Sequence, residues 1–157
     1  MTENLTHVRG DGAVHMVDVG AKDVTSRTAV AEGVVVTTPE VVRLLEQGEL
    51  PKGEALGVAR IAGIMGAKAT STLIPLCHPL ALDGVDIDLE TLEDRVRIEA
   101  RVRTSGRTGI EMEALTAVSV AALTVYDMIK AVDRGAVITG IQVLAKDGGR
   151  SGSWSRE

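Results

Sequence analysis

Four sets of residues combine types and spacings that could do chemistry. Asp127 and Lys130 stand three apart in Leu123-Thr124-Val125-Tyr126-Asp127-Met128-Ile129-Lys130. Residues at that spacing are neighbours on a helix, and the usual outcome is a solvated ion pair of small worth. The segment around them is apolar, however, and a carboxylate and an ammonium at the rim of an apolar interface can exchange protons with a substrate. Thr116, Ser119 and Arg134 fall near the same stripe of a helical wheel.

Cys77-His78 lies between Pro75 and Pro79. Prolines restrict the local chain, which helps to aim a side chain at a ligand. A Cys–His catalytic pair is conceivable, but adjacent residues of an extended segment point in opposite directions. A buried cysteine beside a structural or substrate-contacting histidine is the competing reading. His7, His15 and His78 do not occur at metal-ligand spacing, so no metal site is expected. Glu111 and Glu113 bracket Met112 at the start of a helical pattern. Carboxylates there complement the helix dipole, and two of them could also bind the amino and ring N–H groups of a purine or pterin. Lys52 precedes Gly53, Lys68 closes a second helical pattern, and Lys146 precedes Gly148-Gly149. Glycine-rich turns expose N–H groups that hold phosphate, and a nearby lysine adds charge; a solvated surface lysine is the alternative. No Walker motif is present.

The elements that must carry these groups are legible from periodicity. A first strand is expected over 28–37, where partial alternation leads into Val34-Val35-Val36. Thr38-Pro39-Glu40 reads as a helix start: a capping hydroxyl, a proline at the first helical position, then an acid. Gly48 ends that helix. A second helix is expected over 54–69, with Gly57, Gly63 and Gly66 each costing about 1 kcal/mol against alanine but allowing another backbone close. Strict alternation over 85–89 and again over 96–102, across a short acidic turn, predicts a hairpin. A long helix comes next over 112–134, ending at Gly135, and a last strand over 137–144.

Strand, helices, strand, strand, helix, strand is the βαββαβ order of ferredoxin-like folds. The expected architecture is therefore an α+β sandwich with an antiparallel sheet and an additional helix in the first crossover, forming one domain over 1–157. Residues 1–20 read as a loosely structured arm and 148–157 as a flexible glycine-rich tail. The long helix is apolar around most of its circumference (Leu115, Val118, Val120, Leu123, Val125, Ile129). A helix against one sheet needs a single apolar stripe, so a second face must be covered, either by the glycine-rich helix or by self-association.

Composition narrows the function. The 157 residues include 21 Val and 18 Ala but one Tyr, one Trp and no Phe. Net charge is −5 and the isoelectric point is near 5.2. An acidic chain without stacking rings is a poor nucleic-acid binder. One cysteine excludes an internal disulfide or an iron–sulfur cluster. No apolar signal core opens the chain and no stretch of about 18 residues lacks polar groups, so no membrane association and a cytoplasmic location are expected.

In order along the chain, Met16-Val17-Asp18-Val19, GVARIAGIMGAKATSTLIPLCHPL over 57–80, TGIEMEA over 108–114, LTVYDMIKAV over 123–132 and LAKDGGRSG over 144–152 resemble the cyclic pyranopterin monophosphate synthase family of molybdenum cofactor biosynthesis. Arg107 stands where that resemblance leads one to expect lysine; the charge is kept. The resemblance implies rearrangement of 3′,8-cyclo-7,8-dihydroguanosine triphosphate to cyclic pyranopterin monophosphate with release of pyrophosphate. It also implies a lyase needing no metal cofactor (magnesium could accompany the triphosphate), and a homohexamer, a trimer of dimers, with sites at a subunit interface. Its proton-transfer centre would be Asp127 with Lys68 and Lys130, Lys68 acting as acid–base partner through burial among cations. Leu76, Cys77, His78, Glu111, Met112 and Glu113 would hold base and sugar, and Arg27, Lys52 and Lys146 the triphosphate. The competing expectation is an oligomeric ferredoxin-like module that binds a small ligand without turnover; a Cys77 nucleophile is a third.

Overall fold

The computed structural model describes residues 7–157. Its elements are β1 (Thr25–Val36), α1 (Pro39–Gln47), α2 (Leu56–Lys68), the short α3 (Thr70–Leu73), β2 (Gly84–Leu92), β3 (Arg95–Gly106), α4 (Glu111–Ile129), β4 (Val137–Asp147) and β5 (Trp154–Ser155). The sheet runs β2-β3-β1-β4-β5, every neighbour antiparallel. The first four strands thus have the ferredoxin-like order that the sequence predicts.

Local chemistry sets several boundaries where expected. The Thr38 hydroxyl accepts from the Val41 N–H, Pro39 opens α1, and Gly48 closes it. In β1 and β3 the inward positions alternate, so Ala29, Ala31 and Val35 pair with Val102, Ala100 and Val96 and all six are fully buried. Their small side chains let α4 lie close on the sheet, where Val118 comes against Gly33 of β1. The opposite face of the sheet is polar: Arg97 donates to Glu32 and Glu99, and Gln142 donates to Glu32. These bonds, that from Gln142 foremost, hold the Glu32 carboxyl below its ordinary range.

The second apolar face of α4 is covered by α2. Gly63 and Gly66 form the crossing: a methyl at Gly63 would lie 3.0 Å from the Ala117 carbonyl, and one at Gly66 would lie 2.8 Å from Val120. Of the two options the sequence leaves open for that face, the glycine-rich helix takes it within one chain. What stays exposed is the outer side of α2, at Val58, Ile61 and Met65, together with Leu123 on α4. By length and composition α4 could cross a membrane, yet it is sandwiched between sheet and α2 as a core helix.

Two expectations need correcting. The long helix stops at Ile129, not at Arg134. The N–H groups of Val132 and Asp133 both bond the Ile129 carbonyl, which turns the chain away. Asp133 is then held by the Gly135 N–H and by the Thr37 hydroxyl at 2.7 Å, so Arg134 leaves the helical stripe it shares on a wheel. The last strand reaches Asp147, past the expected 144, and within the expected flexible tail Trp154–Ser155 adds a strand paired with Lys146 and Ala145. Among the described arm residues the only regular pairing is the bridge between Val8 and Val14.

Candidate active site

The α4 N-terminus, the Pro75–Pro79 segment and the start of β1 converge on a cavity of about 850 Å³. Six of the expected substrate-binding residues line it: Arg27, Leu76, Cys77, His78, Met112 and Glu113. Val17 and Val19 close it from the arm. The His78 Nε2 lies 2.7 Å from the Val17 carbonyl. A carbonyl only accepts, so His78 carries a proton on Nε2 and donates it to Val17. The arm motif Met16-Val17-Asp18-Val19 therefore sets the tautomer and orientation of the histidine.

Glu113 is the chemically unusual group. It is 4% exposed, and its Oε2 has no hydrogen-bond partner among the described residues. Burial raises its carboxyl above the ordinary range, and the nearby charge of Glu111 raises it further. An orphaned carboxyl oxygen in a cavity wall is satisfied by a ligand N–H, which suits the edge of a purine-derived ring. The Cys77 thiol is likewise pushed up, first by burial and then by Glu113. It stays a thiol at neutral pH, which argues against the nucleophile reading.

Positive charge gathers on the other side of the cavity. Lys22, Arg107 and Arg150 join Arg27 in its lining. The Arg27 Nε donates to the Gly106 carbonyl, and the Arg107 Nε to the Lys22 carbonyl, so strand ends and loop hold both guanidinium planes. Such forks match phosphate oxygens well. The sequence reading does not single out Lys22, Arg107 or Arg150 as binders. The signal was present for two of them, in the quoted tail motif and in the lysine-to-arginine exchange at 107.

The expected proton-transfer residues lie elsewhere. Asp127 is bonded by Lys52 Nζ to Oδ2 and by Lys130 Nζ to Oδ1, each at 2.7 Å. The bonds from Lys130 and then Lys52 hold the Asp127 carboxyl down to about 2, and Asp127 in turn raises the Lys130 ammonium. Within one chain this is a firmly charged, half-exposed triad. Fifteen residues of α4 separate Met112 from Asp127, roughly 22 Å at 1.5 Å per residue.

Lys52, expected on the triphosphate, stands with Asp127. Lys68 is exposed at the end of α2. Gly66, two residues earlier, contacts Thr116 and Val120, which places Lys68 about two to three turns of α4 short of Asp127. The burial expected to tune Lys68 is not supplied by its own chain. Glu111 and Lys146 do not line the cavity; Lys146 bonds Ser151 and faces a second hollow of about 330 Å³ beside Trp154. Among the described residues no group of three His, Cys, Asp or Glu side chains could cage a metal ion.

Comparison with known proteins gives the family of the whole chain. A model described as the MoaC family matches residues 16–149. The chain is 68% identical over 151 residues to the cyclic pyranopterin monophosphate synthase of Corynebacterium efficiens, covering 96% of this chain and 97% of that one. It is 62% identical over 154 residues to the protein of the same name from Streptomyces coelicolor, covering 98% and 91%. It is 60% identical to cyclic pyranopterin monophosphate synthase 2 of Mycobacterium bovis over 152 residues, covering 97% and 91%.

Proposed function

The chain belongs to the MoaC family, and from that premise we propose that it is a cyclic pyranopterin monophosphate synthase acting at a site completed by a second copy of itself. The reaction converts 3′,8-cyclo-7,8-dihydroguanosine triphosphate to cyclic pyranopterin monophosphate and pyrophosphate. Glu113 takes N–H groups of the base, with Met112, Leu76 and Cys77 against its ring and His78 orienting base or sugar; Glu111, outside the cavity wall, acts on Glu113 through its charge. Arg27, Arg107, Arg150 and Lys22 take the triphosphate and stabilise charge as pyrophosphate leaves. Any magnesium arrives on the phosphates. The nucleotide origin of the substrate supports a cytoplasmic location.

The observation that carries this reading is the division of charge along α4. Opening and reclosing a purine-derived ring needs proton relays. Within one chain the Asp127–Lys130–Lys52 triad stands roughly 22 Å from the cavity, too far to reach a substrate bound there. A second copy, docked through the exposed apolar residues of α2 and Leu123, brings its triad to the first copy's cavity. Burial under that copy strips water from the triad, which moves Asp127 and Lys130 toward proton-sharing. Lys68 and Lys146 then lie at the seam, and pairwise docking within a trimer of dimers gives the homohexamer.

Subunit mixing tests it. Asp127→Asn and His78→Ala homomers each lose at least ~10²-fold in pyrophosphate release. Co-assembled at random in equal amounts, they recover about a quarter of wild-type activity, because half the dimers are mixed and each mixed dimer has one intact site of two. No recovery in verified mixed oligomers means that both groups act within one chain. Wild-type protein that binds the nucleotide stoichiometrically without releasing pyrophosphate is a binding module, not this enzyme.

A further inference from the structure

The residues after β4 form a device to which the proposed reaction assigns no chemical step. Gly148 and Gly149 adopt left-handed backbone, with φ of 95° and 76°. A methyl on Gly148 would run into the Ser26 carbonyl, and one on Gly149 into the Arg27 guanidinium. The loop is thus pressed onto the start of β1 at the residue that carries the cavity's phosphate-side arginine. Gly149, Arg150 and Ser151 then line the cavity. The chain turns back through Gly152, whose N–H bonds the Gly149 carbonyl at 3.2 Å.

The last residues of the chain hold that turn shut. Trp154 and Ser155 pair with Lys146 and Ala145. The Arg156 N–H bonds the Leu144 carbonyl at 2.7 Å, and its Nε donates to the Val143 carbonyl at 2.8 Å. Its guanidinium also sits 5.5 Å from the Trp154 ring centre. Across the loop, Lys146 bonds Ser151 and Asp147 bonds Ser153. A six-residue turn containing three glycines has much conformational freedom to lose, so it orders only if its ends are tied. Here both ends are tied to β4, on the side of the loop away from the cavity.

We propose that residues 148–156 are a clamp in which Trp154 and Arg156 are positioning residues: they preorganise Arg150 and the Gly148–Ser151 backbone N–H groups for the substrate's di- or triphosphate. Neither side chain lines the large cavity, so both act through the loop. The clamp rests on the assignment of the phosphates to the cationic wall and adds the element that fixes its tail side. Preorganising a loop lowers the ordering cost of binding and leaves the chemical step alone. Its loss is therefore read in binding of the phosphates, not in the rate constant of the bound complex.

Trp154 is the chain's single tryptophan, so its emission reports the clamp without a label. The probe is pyrophosphate, which binds without turnover. Pyrophosphate is expected to change Trp154 emission in the wild-type oligomer and to leave it unchanged in Arg150→Ala. In Trp154→Ala and Arg156→Ala, the KM for the nucleotide and the pyrophosphate dissociation constant by calorimetry rise together about tenfold, with kcat within about twofold, as for loss of one hydrogen bond and one cation–π contact. Trp154→Phe, which keeps a ring beneath Arg156, restores most of the affinity. If Arg156→Ala binds pyrophosphate as the wild type does, or if kcat falls while KM holds, the clamp is refuted. Arg156 is exposed, so its variant reports even if Trp154→Ala does not fold. Calorimetry needs no catalysis, so a failure of the enzymatic reading shows as absent turnover with the pyrophosphate results unaffected.

Discussion

The crossing of α2 on α4 makes a quantitative prediction at Gly63. In an exposed helix interior Gly→Ala stabilises by about 1 kcal/mol, through helix propensity alone. At Gly63 the new methyl would meet the tip of Ile87, the Ala117 carbonyl at 3.0 Å and the Ala121 Cβ at 3.2 Å. The Ile87 tip can swing aside, but the other two belong to the α4 backbone and its first carbons, which move only with the helix. Overpacking of this kind costs about 1–3 kcal/mol. Setting about 2 against the gain of about 1 leaves Gly63→Ala destabilised by about 1 kcal/mol, or about 2–4 °C in Tm at this chain length. Gly63→Val pushes two further methyl groups into the same crossing and reaches the top of that range, about 3 kcal/mol. Gly57→Ala is the internal control. Its methyl would meet only the exposed Glu54 carboxylate, which accepts from the Gly57 N–H at 2.8 Å; turning that group aside loses a cap bond of about 1 kcal/mol against a propensity gain of about 1, so Tm stays close to wild type. The measurement is thermal and urea unfolding of all three at one protomer concentration, with a shifted midpoint and an unchanged m-value. If Gly63→Ala is as stable as Gly57→Ala, α2 does not sit on α4 at this distance, and the second face of α4 is not covered in this way.

The remaining expectations concern the cavity. Glu113 has a carboxyl raised by burial and by Glu111, so the folded protein holds its proton more tightly than the unfolded chain does. Between the ordinary value of 4.5 and the raised one the native state binds more protons, and stability from this group falls as pH rises through that window. Glu113→Gln removes the dependence, so the Tm of the variant relative to wild type climbs from pH 4 toward neutrality; a constant difference across that range contradicts the assignment. Cys77, pushed up by burial and Glu113, should react with iodoacetamide at neutral pH more slowly than a free thiol, and Cys77→Ser, which changes a contact to the ring and removes no nucleophile, should raise KM while still turning over. A trapped covalent adduct at Cys77 would overturn both statements.

Some of this molecule is readable from consecutive residues. The start of α1 is, because Thr38, Pro39 and Glu40 act on the backbone within one turn of themselves. The hairpin of β2 and β3 is, because alternation is a property of consecutive residues. The Asp127–Lys130 bond is readable as well, since residues three apart on a helix are contiguous. The end of α4 is not, because Asp133 is held by Thr37, 96 positions away. Lys52 as the second partner of Asp127 is not, because the two are 75 positions apart. Nor is the cationic wall, where Lys22, Arg107 and Arg150 meet only because the arm, the β3–α4 loop and the tail all return to the start of β1.

By itself the sequence determined the order and type of β1, α1, α2, β2, β3, α4 and β4, the acidic and ring-poor composition, and the motifs that place the chain in its family. These rest on periodicity, composition and local hydrogen bonding, which short stretches of chain contain in full. Tertiary structure alone decided which charges share a cavity and which share solvent. It buried Glu113 without a partner, left Lys68 exposed, and put Asp127 at the far end of α4 from His78. Desolvation and Coulomb energy depend on distance through space and on what displaces water. Neither quantity exists until remote segments have packed.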